Sequence, residues 1–166
     1  MPGISKHTIN FLKELKLNNN REWFAKNRAQ YEIAKNDFKN FVTELIIKIS
    51  EFDNNIKNLN PNDTIFRINK NIRFSIDKTP YKINFGAYIA KGGRKSWMPG
   101  YYIHIEPQNC FISGGIYMPE PEKLKKIRDE INYNFEEFNS IISNKLFVKY
   151  YNKLIEDDKL SRPPKN

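Results

Sequence analysis

Positively charged side chains crowd one stretch of the sequence, RINKNIRFSIDKTPYK at residues 67–82. The stretch contains five basic residues and a single acid, Asp77. Residues 64–100 hold eight basic residues against that one acid, whereas the whole chain of 166 residues has a net charge of +9. Because the charge is concentrated locally, it predicts a site for an anionic ligand, since arginine and lysine bind phosphate and carboxylate groups.

Polar and apolar residues alternate through this stretch, which is typical of a β-strand with one face toward solvent. Lys70 interrupts the alternation and predicts a bulge or break. The predicted apolar face carries Phe66, Ile68, Ile72, Phe74 and Ile76, and the polar face carries Arg67, Asn69, Asn71, Arg73, Ser75 and Asp77. On a straight strand Arg67 and Arg73 would lie about 20 Å apart, which suits two anionic groups of a longer ligand better than one phosphate.

The segment DKTPYK at residues 77–82 is predicted to form a turn. Asp77 is suited to accept hydrogen bonds from the turn amides, which is a common role for aspartate. We predict an anion site formed by Arg67, Arg73, Lys78 and Lys82, with Asn69, Asn71 and Asp77 orienting the ligand. The alternative is structural: an ion-pair network of Arg67, Arg73 and Asp77 beside a turn with two solvated lysines.

Aromatic residues lie among the cations of the same region, a composition typical of surfaces on which nucleic-acid bases stack. They are Tyr81, Trp97, Tyr101 and Tyr102. The strand pattern places Tyr81 and Tyr101 on the core face, where we expect them to pack in the interior. Trp97 lies in the basic loop KGGRKSWMPG and is the better candidate for contact with a ligand.

His104 is the residue best suited to proton transfer, because histidine titrates near neutral pH. It shares the polar face of the predicted strand YYIHIEP with Tyr102 and Glu106. A structural role for this histidine stays open, and so does the question whether the chain is an enzyme. No group of residues has metal-ligand spacing and no phosphate-binding glycine loop occurs, so the sequence predicts no metal and no cofactor.

These residues need elements to position them. The sequence predicts a short helix capped by Ser5 or Thr8, then a long amphipathic helix over residues 22–52 that begins after Asn20 as its N-cap. Four strands then follow on short connections, from Phe66 through to the segment NCFISGGIYM, which favours an antiparallel meander. Two further helices are predicted over about 120–132 and 134–150.

The predicted fold class is α+β: an antiparallel meander of four or more strands, packed on the long N-terminal helix and the C-terminal helices. The other face of the sheet would carry the basic site. The length of 166 residues, with no internal repeat or linker, predicts a single domain over residues 1–166.

Composition narrows the class of protein. An apolar fraction of 39% and an aromatic fraction of 14% argue against disorder, and the single cysteine, Cys110, excludes an internal disulfide. The chain has no apolar run of membrane-spanning length and no signal-peptide pattern. A bias toward Lys, Asn and Ile is typical of an AT-rich genome. We therefore expect a cytoplasmic bacterial protein without membrane contact, whose oligomeric state the sequence leaves open.

The stretch at residues 67–82 resembles the hallmark R-x-x-R-D-x-R-F-S-x-D-K-T-P-Y-K of a widespread bacterial and fungal family known only as a domain of unknown function. Ten positions match, whereas Lys70 stands in place of an arginine and Asn71 in place of an aspartate. The segments NNNREWFAKNRAQYE and GYYIHIEPQNCFISGGIYMPEPEKLKKIRDEI resemble two further signatures. The resemblance covers almost the whole chain and implies an α+β fold but no reaction. Family members usually continue past the point equivalent to RPPKN, which implies a truncated or unusually short member.

Three classes of function remain open. The leading one is binding of an anionic, phosphate-bearing small molecule on the basic sheet face, with or without catalysis. A nucleic-acid-binding module would need that face to be open and continuous. A protein-interaction domain would instead use the aromatic residues, with the charges at its rim.

Overall fold

The protein has an α+β fold, which confirms the predicted class. The structure, a computed structural model, describes residues 3–155 and divides the chain into two compact units, Met1–Tyr117 and Met118–Asn166. The first unit contains helices α1 (Lys6–Leu17), α2 (Arg21–Lys26), α3 (Arg28–Ser50) and α4 (Pro61–Thr64) and strands β1 (Phe85–Ala90), β2 (Gly100–Ile105) and β3 (Phe111–Gly115). The second contains α5 (Pro121–Tyr133), α6 (Phe135–Ile142) and α7 (Lys145–Tyr151).

Asparagine and serine side chains set the boundaries of the first helices. Ser5 caps α1 by accepting a hydrogen bond from the Thr8 amide at 3.2 Å, and Asn20 caps α2 through the Trp23 amide at 2.9 Å. The predicted helix over residues 22–52 is interrupted at Asn27, which separates α2 from α3. The Asn27 side chain donates to the Trp23 carbonyl oxygen at 2.9 Å, and such local bonds compete with a continuous helix.

The sheet is antiparallel, with the strand order β1-β2-β3. Phe85 pairs with Ile105, Gly86 with His104 and Ala87 with Ile103, so alternate residues of β1 and β2 share a face. The face with Phe85, Ala87, Ile89 and Ile103 is buried. The opposite face, which carries Tyr102 and His104, is called the outer face below.

The predicted first strand is not a regular strand, and the prediction of four or more strands is not confirmed. Ile65 and Asn69 make only isolated bridges, to Ala87 and Tyr81. One backbone hydrogen bond joins Phe66 to Gly86 and the next joins Lys82 to Ile68. Between these two bonds one side has a single residue, Arg67, and the other side has three, so the pairing is bulged opposite Arg67. Sequence alternation missed this bulge, since it predicted the irregularity at Lys70.

The alternation had predicted one shared face for the apolar residues of this segment. In the structure, where the pairing is bulged, they do not share a face. Ile68 is buried in the core, whereas Phe66 lies on the outer face beside Tyr102. Phe74 and Ile76 are exposed, because the chain from residue 71 to residue 80 forms no strand that could bury them.

The core of the first unit lies between the sheet and α3, as predicted for the long helix. The Phe38 ring of α3 stacks on Phe85 of β1 with ring centroids 5.3 Å apart, and Tyr31 packs on the same ring at 6.4 Å. Tyr81 is also buried, as predicted, and Tyr101 packs partly against the core. These contacts fix β1 and the segment that precedes it.

The second unit consists of short helices. α5 agrees with the prediction over 120–132, whereas the helix predicted over 134–150 is divided at Ser143 and Asn144 into α6 and α7. Asn144 caps α7 through the Leu146 amide at 2.9 Å, which starts a new helix. No helix in residues 3–155 is long and apolar enough to span a membrane. The single-domain prediction and the packing of these helices on the sheet stay predictions. RPPKN lies outside the described residues.

Candidate functional site

The turn DKTP is built around Asp77. Its carboxylate accepts hydrogen bonds from the Thr79 amide at 2.8 Å and the Thr79 hydroxyl at 2.9 Å, which is the turn role predicted for it. It also pairs with Lys70, whose Nζ lies 2.6 Å from Oδ2. The hydrogen bond from Lys70 and those from Thr79 hold the pKa of the Asp77 carboxyl well below its usual range. Lys70 and Asp77 therefore neutralise each other.

A cleft of about 720 Å³ opens beside this turn, which is within the size range of small-molecule sites. One wall is the segment that starts α2 and the other is the DKTP turn. The lining residues are Asn19, Asn20, Arg21, Ile72, Asp77, Lys78, Thr79 and Pro80. We call this feature the turn cleft.

The two walls of the turn cleft are tied together by the side chain of Asn19. Its amide donates to the Tyr81 carbonyl oxygen at 2.9 Å, and its oxygen accepts from the Tyr81 amide at 3.1 Å. Tyr81 also pairs with Asn69 on its other side, but that pairing does not use the backbone amide and carbonyl of Tyr81. Asn19 therefore satisfies the two backbone groups that a neighbouring strand would otherwise bond. The rings of Phe24 and Tyr81 also stack, with centroids 3.9 Å apart. The cleft is therefore formed before any ligand binds.

Two cations line the turn cleft without a carboxylate partner. Within residues 3–155, neither Arg21 nor Lys78 lies within 4.0 Å of an acidic oxygen. Lys78 Nζ donates to the Ile72 carbonyl oxygen at 3.2 Å, which leaves two of its three N–H donors available. Since Asp77 is neutralised by Lys70, the charged residues that line the cleft leave it positive.

A second group of candidate residues lies on the outer face of the sheet. Lys82 Nζ lies 5.3 Å from the centroid of the Phe66 ring, in a cation–π contact. Burial lowers the pKa of Lys82, and the nearby charge of Arg67 lowers it further. Arg67 and Lys82 thus form a close pair of like charges, with no acidic partner within 4.0 Å in the described part of the chain.

His104 lies in a hydrogen-bonded chain on the same face. Its Nδ1 is 2.9 Å from the Tyr102 hydroxyl and 3.4 Å from the Asn84 amide nitrogen. Its Nε2 is 3.2 Å from Glu106 Oε2. The Phe111 ring stacks over the imidazole with centroids 4.7 Å apart. Both ring nitrogens of His104 therefore have hydrogen-bond partners. A proton can reach or leave the imidazole only through one of these neighbouring groups.

Burial raises the pKa of Glu106, but other effects outweigh it. The hydrogen bonds from His104 and Asn109 and the charge of Lys16, whose Nζ is 3.6 Å from Oε1, bring that pKa below its ordinary value. Burial raises the pKa of the Tyr102 phenol, and the nearby Tyr117 raises it further. At neutral pH the Glu106 carboxyl at one end of this hydrogen-bonded series is therefore ionised, and the Tyr102 phenol at the other end keeps its proton.

The structure thus divides the predicted anion site between two places. Lys78 and Asp77 line the turn cleft, whereas Lys82 contacts Phe66 on the outer face and Arg67 lies near Lys82. Alternation had predicted that Arg73 and Arg67 share a strand face, but the structure contradicts this. The guanidinium of Arg73 lies 5.2 Å from the centroid of the exposed Phe74 ring.

The remaining predicted residues belong to neither group of contacts. Asn69 is exposed opposite Tyr81, and the side-chain oxygen of Asn71 accepts from the Arg73 amide at 3.5 Å. Trp97 is exposed, in the turn before β2.

Sequence reasoning missed several residues of these sites. Asn19 and Arg21 were noted only within the family segment NNNREWFAKNRAQYE. Lys70 was noted only as a break in the strand pattern and as a departure from the family hallmark. Phe66 was assigned to the core face, and Phe111 was assigned no role. A run of three asparagines next to a cation was the available signal for the turn cleft. No sequence signal predicts the bulge opposite Arg67 or the position of Phe66 on the outer face.

A family described as "Conserved hypothetical protein (DUF2461)" matches residues 7–166. No curated protein and no solved structure matches the chain. Within the described residues, no three His, Cys, Asp or Glu side chains are grouped so that they could hold a metal ion.

Proposed function

We propose that this chain, which belongs to the conserved hypothetical protein family DUF2461, binds a small anionic ligand that bears a phosphate group in the turn cleft. The observation that carries the proposal is the presence of two cations, Arg21 and Lys78, that have no acidic partner among residues 3–155 and line a cleft of about 720 Å³. Charges of one sign that lack partners attract a ligand of the opposite sign.

The chemistry of the lining favours a phosphate over a purely apolar ligand. The Arg21 guanidinium can offer two parallel N–H donors to a phosphate, and Lys78 offers a compact charge. Ile72 and Pro80 supply apolar surface for the rest of the ligand. Because the Asn19–Tyr81 hydrogen bonds hold the walls in place, the ligand does not have to order them on binding.

The test is a binding panel of inorganic phosphate, pyrophosphate, nucleotides and sugar phosphates, measured by thermal shift at low and moderate salt and then by calorimetry. The variants are Arg21→Gln and Lys78→Gln, with Lys13→Gln on α1 as the matched control. A charge-assisted hydrogen bond contributes about 1.5–3 kcal/mol, so each of the two variants should lose at least about tenfold in affinity.

The control Lys13→Gln should bind as tightly as the unaltered chain. Equal affinity in all three variants would contradict the proposal. Short single- and double-stranded oligonucleotides belong to the same panel. If they alone stabilise the chain and the effect falls steeply with salt, the surface binds nucleic acid and the turn cleft is not a small-molecule site.

A protein partner is the second candidate function, because two apolar side chains are exposed near the turn cleft. Phe74 and Ile76 lie in the irregular segment that also contributes Ile72 and Asp77 to the cleft. Pairs of large exposed apolar residues often mark contact surfaces. The double variant Phe74→Ser with Ile76→Ser should abolish binding of such a partner and leave phosphate affinity unchanged, which separates the two candidates.

A further inference from the structure

We propose that the outer face of the sheet is an acid–base site, where Tyr102 exchanges a proton with an oxyanion-bearing ligand held by Arg67 and Lys82. This site is formed by residues other than those of the turn cleft and does not depend on the function proposed for the cleft. The group that contacts the ligand is the Tyr102 hydroxyl. His104 and Glu106 act behind it as positioning and proton-relay residues.

The hydrogen bonds define the direction of the chain. When His104 is neutral with its proton on Nε2, it donates to Glu106 at 3.2 Å and accepts the Tyr102 hydroxyl proton on Nδ1 at 2.9 Å. When His104 is protonated on both nitrogens, Nδ1 donates to Tyr102 Oη instead. The Tyr102 O–H is then free to turn toward a ligand, and the Glu106 carboxylate offsets the imidazolium charge.

The proton transfer balances without any further reactant. The Tyr102 O–H bond breaks as its proton passes to an oxygen of the ligand, and the Nδ1–H bond of His104 breaks as that proton passes to Tyr102 Oη. Tyr102 ends neutral, His104 ends neutral with Nε2–H on Glu106, and the ligand gains one proton. The reverse sequence removes a proton from the ligand and leaves His104 charged.

Arg67 and Lys82 are placed to hold the negative charge of that ligand. Lys82 lies over Phe66, and the Phe66 ring meets the Tyr102 ring edge to face with centroids 6.3 Å apart. Lys82 and the Tyr102 phenol thus contact the same aromatic side chain, and Arg67 lies near Lys82. A ligand with its oxyanion at Lys82 can extend over Phe66 to the Tyr102 hydroxyl.

Gly86 makes room for the phenol at the base of this site. A Cβ atom at residue 86 would lie 3.1 Å from Tyr102 Oη, which is tighter than most Cβ contacts, and 3.4 Å from Cε2. Gly86 is also the residue that pairs directly with His104 across β1 and β2. A side chain there would therefore require the Tyr102 hydroxyl to shift by a few tenths of an ångström beside His104.

The charged and titratable groups that face His104 come from four parts of the first unit. Tyr102 and Glu106 belong to β2 and its end, and Lys16 of α1 lies 3.6 Å from Glu106. Tyr117, which follows β3, raises the pKa of Tyr102. Lys82 lies over the ring of Phe66, which in turn contacts Tyr102. The neutral neighbours are Asn84 and Phe111. The imidazole thus has one carboxylate in direct contact.

The test is a pH titration of the His104 ring by NMR in a His7→Gln background. The chain has two histidines, so this substitution leaves His104 as the one observed. Sulfate is the probe, since it keeps its charge across the titration. An anion that accepts a hydrogen bond from the Tyr102 hydroxyl favours the doubly protonated ring, because the hydroxyl is free to turn toward the anion only when Nδ1 donates to Tyr102 Oη. Saturating sulfate should therefore raise the titration midpoint of His104 by roughly one pH unit.

Three variants decide between this account and others, with circular dichroism to verify that each is folded. Tyr102→Phe should remove the sulfate-dependent increase, and Lys82→Gln should remove it by loss of anion binding. Lys78→Gln should keep the full increase. An unmoved midpoint in the unaltered chain would overturn the proposal, as would an equal increase in Tyr102→Phe. Loss of the increase in Lys78→Gln but not in Lys82→Gln would place the anion in the turn cleft and would also overturn it.

Discussion

Replacement of Asn19 by alanine tests the account of how the turn cleft is held open. The substitution removes a donor and an acceptor that satisfy the Tyr81 carbonyl oxygen and amide, at 2.9 and 3.1 Å. A neutral hydrogen bond within a protein contributes about 1 kcal/mol. Because both bonds are lost at once, Asn19→Ala should lower the free energy of unfolding by about 2 kcal/mol.

The assay is urea denaturation followed by tryptophan fluorescence, with thermal melting as a second measurement. For a chain of this size, the expected decrease in Tm is roughly 4–8 °C. Phosphate affinity in the turn cleft should fall as well, because the walls are no longer fixed. Asn19→Asp keeps the size of the side chain but replaces the donor by a second acceptor, so it should destabilise the chain at least as much.

The matched control is Asn36→Ala, which removes an exposed asparagine from the surface of α3. This change should leave the free energy of unfolding unaltered or slightly increased, since alanine is the better helix former. A value for Asn19→Ala within about 0.5 kcal/mol of the unaltered chain would refute the reasoning, since it would mean that water replaces the side chain at no cost.

Two further predictions concern Asp37 and Gly86. Burial raises the pKa of Asp37, but the hydrogen bonds from Thr8 and Ser5 and the charge of His7 outweigh it, and the pKa lies below its ordinary value. The stability contributed by Asp37 should therefore be complete above about pH 4 and lost below it, and Asp37→Asn should flatten that part of the curve of Tm against pH. Gly86→Ala should displace the Tyr102 hydroxyl, and the NMR signals of the His104 ring should then resemble those of Tyr102→Phe.

Local patterns predicted most of the elements of the fold. Ser5 and Asn20 mark helix starts because their side chains cap the adjacent amides, an interaction that needs only neighbouring residues. The alternation in β2 correctly separated Ile103 from His104, since a regular strand buries every second residue. The same rule failed between Phe66 and Ile76. There the pairing with the next segment is bulged, and a bulge depends on contacts that alternation does not encode.

The candidate site could be predicted only in part for the same reason. The cationic stretch was identifiable, and Asp77 has the turn contacts expected from its position in DKTP. The partners across the turn cleft, Asn19 and Tyr81, are separated by 62 positions, and nothing in either local sequence specifies that pairing. The Tyr102–His104–Glu106 chain follows from alternation within one strand, so its members were predicted to share a face.

The irregular course of residues 71–80 also bears on aggregation. The sequence IRFSI at 72–76 alternates and carries three large apolar side chains, and such segments readily add to the edges of sheets in other molecules. The Lys70–Asp77 pair and the turn bonds to Thr79 hold the chain in a conformation without a continuous row of strand N–H and C=O groups. We therefore expect acid strong enough to protonate Asp77 to release this segment and to promote intermolecular β-sheet.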